Sequence, residues 1–147
     1  MKRILFFLTI LLPLAASQPK QNVGRIRIEI VGFKNDKGQV LINLFSSKSA
    51  KGFPSDPKAA FKSAVIEKIE NGQASIEFEQ VPFGDYAIAL IHDENMNNEL
   101  DTNILGIPKE GYAFSNNYRP RVRAPRFKEA AFTLNRSSKS LRLEIIN

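Results

Sequence analysis

Hydrophobic and polar residues alternate along much of the chain. In "GRIRIEIVGF", Ile26, Ile28 and Ile30 alternate with Arg25, Arg27 and Glu29, the period-two signature of a strand with one buried face. "KNDKG" (34–38) collects residues that tolerate left-handed turn backbone and runs into "QVLINLFSS", so these two segments are expected to form a hairpin. The alternation breaks at "KGFPSDPKAAF" (51–61), where Asp56 can cap a helical turn with Pro57 at its first position; this predicts one short helix near 56–61. "SAVIEKIE" and "QASIEFEQ" flank Asn71-Gly72, a strong hairpin signal. In "VPFGDYAIALIH", Tyr86, Ile88 and Leu90 share one face and Ala87, Ala89 and Ile91 the other. A strand apolar on both faces is a central one. "EAAFTLN" and "SLRLEIIN" close the chain with two more strands.

Strands are therefore predicted near 24–32, 39–46, 63–70, 73–80, 84–92, 129–135 and 140–146. Short alternating strands with regular turn signals predict an all-β fold, a single antiparallel β-sandwich of about seven strands, immunoglobulin-like or transthyretin-like. Long loops are expected over 93–128.

The stretch after the central strand, "HDENMNNELDTN", carries the clearest chemistry. Calcium takes six to eight hard oxygen ligands, and a loop supplies them when acids or amides recur at every second residue. Asp93, Asn95 and Asn97 fill the first, third and fifth positions of such a loop, Glu99 stands where a backbone carbonyl is used, and Asp101 takes the ninth. Asn98 replaces the usual glycine, and Ile104 replaces the bidentate Glu of an EF-hand, whose flanking helices are also missing from the pattern. An EF-hand is thereby excluded, while a strand-supported calcium loop stands beside a second reading in which the same side chains bond their own backbone in successive Asx-turns. With two neutral amides among the ligands, calcium would bind with a dissociation constant on the order of 10⁻⁴–10⁻³ M.

His92, the one histidine of the chain, adjoins Asp93. Neighbours on a strand face opposite sides, so Asp93 is badly placed to orient that imidazole, and a packed or hydrogen-bonded histidine is the expectation. The chain has no cysteine nucleophile and no Gly-x-Ser-x-Gly motif; no catalytic residues are assigned. The segment "GIPKEGYAFSNNYRPRVRAPRFK" interleaves Tyr112, Phe114 and Tyr118 with Arg119, Arg121 and Arg123. As a binding surface, its aromatic faces would suit sugar rings or apolar ligands, and its guanidinium forks would suit phosphate or carboxylate groups of an envelope glycan or lipid headgroup. As architecture, the same segment would lie across the end of the sandwich with its aromatics buried and its arginines solvated.

The N-terminus changes the setting. "MKRILFFLTILLPLAASQ" has the charged start, short apolar run and small-residue site of a secretory signal peptide, so residues 1–17 are expected to be removed. Its apolar run is too short to span roughly 30 Å of hydrocarbon. Residues 18–147 then form one domain in the periplasm or outside the cell, with no transmembrane span. The absence of cysteine leaves that domain without disulfides. Loss of Lys2 and Arg3 takes Lys and Arg from 21 to 19 against 15 Asp and Glu, so the formal charge falls from +6 to +4. That mild basicity, together with export, argues against a nucleic-acid partner.

"GFPSDPKAAF", "VPFGDYAIALIHDENMNNELDTNILGIPKEGYAFSNN" and "RFKEAAFTL" resemble the bacterial DUF2141 family of uncharacterised exported proteins. The resemblance covers nearly all of the mature chain and is most specific from His92 to Asn117. It departs from the family pattern at Asn98 and Ala113, both glycine there; Ala113 suggests a less constrained turn. What it implies is an exported sandwich without an assigned activity, and fold alone transfers no function.

The expected function is a non-enzymatic, exported binding or accessory module of the cell envelope, with calcium as its one candidate cofactor and a glycan, lipid headgroup or protein as partner. An enzyme with His92, Asp93, Glu110 and Arg119 around one pocket is the first alternative, and would require the 92–103 and 110–128 loops to converge. A structural subunit pairing through an unpaired, hydrophobic strand edge is the second.

Overall fold

The computed structural model describes residues 22–147; the signal peptide expected at 1–17 lies outside the described residues. Among the described residues eight strands form two sheets. The smaller has the order β4-β1-β8, built from β1 (Val23–Val31), β4 (Gln73–Pro82) and β8 (Ser138–Glu144). In the larger, with order β3-β2-β5-β6, β3 (Lys62–Ile66), β2 (Gln39–Ser46), β5 (Gly84–Asp93) and β6 (Tyr112–Phe114) lie side by side, and β7 (Phe132–Leu134) pairs with the first residues of β5. The protein is an all-β sandwich, with antiparallel pairing everywhere except between β1 and β8, which run parallel.

Between the sheets lies one apolar core. The inward faces of β1 (Ile26, Ile28, Ile30), β2 (Val40, Ile42, Leu44) and β5 (Tyr86, Ile88, Leu90) meet there as the alternation required. The second face of β5 is covered as well. Ala87 and Ala89, with Phe45 of β2, are buried under Phe53, Phe114, Phe127 and Ala130. Phe53 meets the rings of Phe45, Phe114 and Phe127 edge-on, with centroids 5.3, 6.2 and 6.1 Å away, the arrangement that ring quadrupoles favour. The chain covering this face is the 47–61 segment and the 115–131 segment. Ser115 joins the latter to the sheet: its Oγ accepts from Ile88 N at 2.9 Å and donates to Ala130 O at 2.5 Å.

Both expected hairpins are corrected. β1 and β2 lie in different sheets, so the 34–38 segment is a crossover between layers. Asn71-Gly72 does form a tight turn, with φ of 52° and 71° and reciprocal bonds between Glu70 and Gln73, but β3 and β4 then diverge into opposite sheets. The two crossovers are tied together, because the Asp36 carboxylate accepts from Asn71 N and Gly72 N at 3.0 and 2.8 Å. β3 stops at Ile66 rather than Glu70: Ile66 and Ile69, three residues apart, both enter the core between the sheets, whereas a regular strand would send them to opposite faces. The helix expected at 56–61 is a single 3₁₀ turn, Pro57–Ala59, capped by Asp56, whose side chain accepts from Lys58 N at 3.1 Å. The strand expected from 129 starts only at Phe132, after a one-turn helix α1 (Phe127–Ala130). Ala113, expected in a turn, is a buried residue of β6 opposite Leu90. Among the described residues no helix is long and apolar enough to cross a membrane.

Candidate functional site

β5 delivers His92 and Asp93 to one end of the sandwich, each fully buried. Alternation sends them to opposite faces of the sheet. His92 meets Phe33 edge-on at 5.0 Å and its Nε2 lies 2.7 Å from the carbonyl of Lys37, while Nδ1 is buried without a partner. This is the packed histidine that the sequence predicts. Asp93 stands opposite Gln39 of β2, and the two make the floor of the loop that follows.

That floor is a carboxylate with its acceptor sites occupied by donors. Asp93 Oδ2 accepts from Gln39 Nε2 at 2.8 Å and from Asn98 N at 2.9 Å, and Oδ1 accepts from Asn97 N at 3.1 Å. Burial pushes the Asp93 carboxyl up, but Gln39 and the backbone of Asn98, Asn97 and Met96 together outweigh it, and the net effect holds the group below its ordinary value. The loop folds back over Asp93 through left-handed backbone at Met96 (φ 61°) and Asn98 (φ 66°). Asn98 thus takes the conformation for which glycine is usual, and its Oδ1 adds a contact with Gln39 Nε2 at 3.2 Å.

Along the loop the alternate side chains form a chain of Asx-turns: Asn95 Oδ1 accepts from Asn97 N at 3.1 Å and Asn97 Oδ1 from Glu99 N at 2.9 Å. Their Nδ2 groups both reach Asp101, at 2.6 Å to Oδ2 and 3.1 Å to Oδ1. Asp93, Asn95, Asn97 and Asp101 therefore share one network, while Glu99 contributes to it through its backbone and leaves its side chain exposed. Asp101 N, in turn, donates to Glu110 Oε2 at 3.0 Å, and Glu94 N to Glu110 Oε1 at 2.9 Å. A single buried glutamate clamps the two ends of the loop. Gln39 and Glu110 are the residues that loop spacing misses: neither lies in the alternating series, and only the pairing of β2 with β5 brings Gln39 to Asp93.

The donor set suits a hard cation in type and is sparse in charge. Among the described residues no group of three or more His, Cys, Asp or Glu is arranged to hold a metal. A cation here would rely on two carboxylates, Asp93 and Asp101, with the remaining oxygens from amides and backbone carbonyls, a composition that calcium accepts and softer metals do not.

The second candidate region is spread over the outer face of the larger sheet. Phe114 is buried, and Tyr112 and Tyr118 rest half-buried against the same aromatic cluster. Arg119 pairs with Glu144 at 3.1 Å. Arg123 makes a fork with Glu129, both contacts at 2.9 Å, and this guanidinium with Arg126 N lowers the Glu129 carboxyl to about 2. Arg121 is exposed. Of the four groups considered for an enzyme, Asp93 and Glu110 share the loop network, His92 faces away from it into the layer between the sheets, and Arg119 is engaged with Glu144.

A family model described as an uncharacterized protein conserved in bacteria, DUF2141, matches residues 28–142. The chain belongs to the DUF2141 family. No curated protein and no solved structure matches it. The match takes in both sheets, the Asp93–Asp101 loop and Glu110, so the clamp described above lies within the DUF2141 domain.

Proposed function

We propose that this DUF2141 protein is an exported, non-enzymatic β-sandwich module of the cell envelope whose 93–101 loop binds calcium and is stiffened by it. The observation that carries the proposal is the gathering of Asn95 and Asn97 carboxamides on the two oxygens of Asp101, at 2.6 and 3.1 Å, in the same network as buried Asp93. In that arrangement two amide N–H₂ groups donate to the Asp101 carboxylate and leave its charge uncompensated. A calcium ion would compensate it, drawing in the Oδ1 atoms of the same amides as ligands beside the Asp93 and Asp101 carboxylates and the Glu99 carbonyl. Asn95 and Asn97 are exposed and Asp101 half-buried, so these three can turn toward an ion, and the main reorganisation falls on Asp93, whose oxygens hold three donors. Export rests on the leader-like residues 1–17. An envelope glycan, lipid headgroup or protein is the partner class proposed for the Tyr112–Arg123 side.

Calorimetric titration with calcium, and with magnesium in parallel, tests the metal reading. Saturable heat with a dissociation constant on the order of 10⁻⁴–10⁻³ M, abolished by Asp101→Asn, is expected. No calcium heat in the wild-type protein would leave the loop as an Asx-turn structure and overturn the proposal.

A further inference from the structure

Directly after the calcium loop the chain makes a small tip that the proposed function does not use. Ile104, Leu105 and Ile107 are 102, 77 and 56% exposed, and Met96 on the adjoining turn is 58% exposed. Ile104, Leu105 and Ile107, within four consecutive positions, form an apolar tip, and clustered exposure of this kind marks a contact site. Most N–H groups of the tip are paired within it. Asn103 Oδ1 accepts from Leu105 N at 2.9 Å and Ile107 N at 3.0 Å, Gly106 N donates to Asn103 O at 2.9 Å, and Asn103 N to Ile107 O at 2.8 Å. Below it Lys109 N donates to Asp101 O at 2.8 Å, Thr102 is bridged to Pro108, and Pro108 has no N–H to satisfy. The N–H groups of Asn103, Leu105, Gly106, Ile107 and Lys109 thus have acceptors inside the loop, while the Ile104 N–H and the carbonyls of Ile104, Leu105 and Gly106 have no partner among the described residues.

We infer that the 104–107 tip inserts into the interfacial layer of a lipid bilayer. N–H groups already paired within the tip lower the cost of leaving water, and the interfacial layer still offers water and headgroup oxygens to the polar groups that are not. Shape and size favour lipid over a protein partner: a stable protein interface needs about 800 Å² on each side, more than one convex tip of a few side chains supplies, whereas a fluid interface closes around a projection of any shape. The mixed charge at its base, Glu99 and Asp101 against Lys109, makes the attachment apolar rather than electrostatic, so it persists in high salt. The inference does not depend on calcium binding.

The chain contains no tryptophan, so a single one reports on its own surroundings. Leu105→Trp places it at the tip, and Val65→Trp places it at a site 51% exposed on β3, away from both candidate regions; neither position carries the core. Both full-length variants are mixed with vesicles of phosphatidylethanolamine and phosphatidylglycerol, with brominated acyl chains as quencher, in calcium and in chelator. The expected result is a blue-shifted, bromine-quenched emission from the Leu105→Trp protein under both conditions, lost when Ile104→Asp and Ile107→Asp are added, with no change from the Val65→Trp protein. Three results would overturn the inference: a tip tryptophan that keeps its water-exposed spectrum, equal shifts from both reporters, which would mean adsorption through some other part of the chain, and a tip shift that grows with protein concentration without vesicles, which would mean a second copy.

Discussion

Replacing Asp93 should show how much of this end of the sandwich hangs on one carboxylate. Asp93→Ala strips the acceptor from Gln39 Nε2, Asn97 N and Asn98 N, which donate at 2.8, 3.1 and 2.9 Å. A hydrogen bond to a charged group contributes about 1.5–3 kcal/mol net, and buried donors left without acceptors add their own penalty. Three such bonds to one atom group are not additive, and Asn97 and Asn98 can regain water, so the expected loss is about 3–5 kcal/mol. Against a total stability of about 5–15 kcal/mol that is a large fraction, readable as a shifted urea midpoint at unchanged slope. Asp93→Asn keeps the shape and gives up the charge, and it turns an N–H₂ toward at least one of the three donors; a loss of about 2–4 kcal/mol is expected. The pH dependence follows from the direction of the shift. The folded-state carboxyl lies below its ordinary value of 3.8, so its contribution is fully present above that value and is lost as the pH falls through the lower folded-state value. The wild-type advantage over Asp93→Asn should therefore be constant near neutrality and shrink in acid. A loss under about 1 kcal/mol at neutral pH, or a gap between the two proteins that stays constant to about pH 2, would refute this reasoning.

Glu110→Ala removes the clamp on Glu94 N and Asp101 N, and a loss of about 2–4 kcal/mol is expected; hydrogen exchange at those two amides should accelerate more than at the β2–β5 ladder. Phe114→Ala opens a cavity among Phe53, Phe127 and Ala130 and should cost about 3–5 kcal/mol in chemical denaturation.

The elements legible in the sequence are those whose side chains alternate for several residues between buried and exposed. β1 has this property, and the double-sided burial of β5 could be read from Ala87 and Ala89. The sheet to which each strand belongs was not legible, because "KNDKG" and "NG" encode a local reversal of the chain and say nothing about which partners the strands find afterwards; Asn71-Gly72 makes its turn while β3 and β4 part. β6 escaped notice for a different reason. Three residues, Tyr-Ala-Phe, are too few to show a period, and their pairing with Ala89–Ile91 is a tertiary event. In the loop, the spacing of Asp93, Asn95, Asn97 and Asp101 did mark the residues that share a network. The buried acid that holds the loop shut, Glu110, and the amide beneath it, Gln39, sit 9 residues beyond and 54 residues before their partners, and no local pattern distinguishes them from solvated polar residues.

The proposal that the 93–101 loop is a calcium site meets its most direct test in thermal unfolding of the wild-type and Asp101→Asn proteins, each with chelator and with calcium. A ligand that binds only the folded state at ten times its dissociation constant stabilises it by about 1.4 kcal/mol, which for a domain of this size raises Tm by roughly 4–8 °C. Asp101 serves better than Asp93 for this purpose, since its partners are the exposed amides of Asn95 and Asn97 and its replacement leaves the buried network in place. The account predicts a calcium-dependent rise in the wild-type protein that is absent from Asp101→Asn. A wild-type Tm that millimolar calcium leaves unchanged would contradict it.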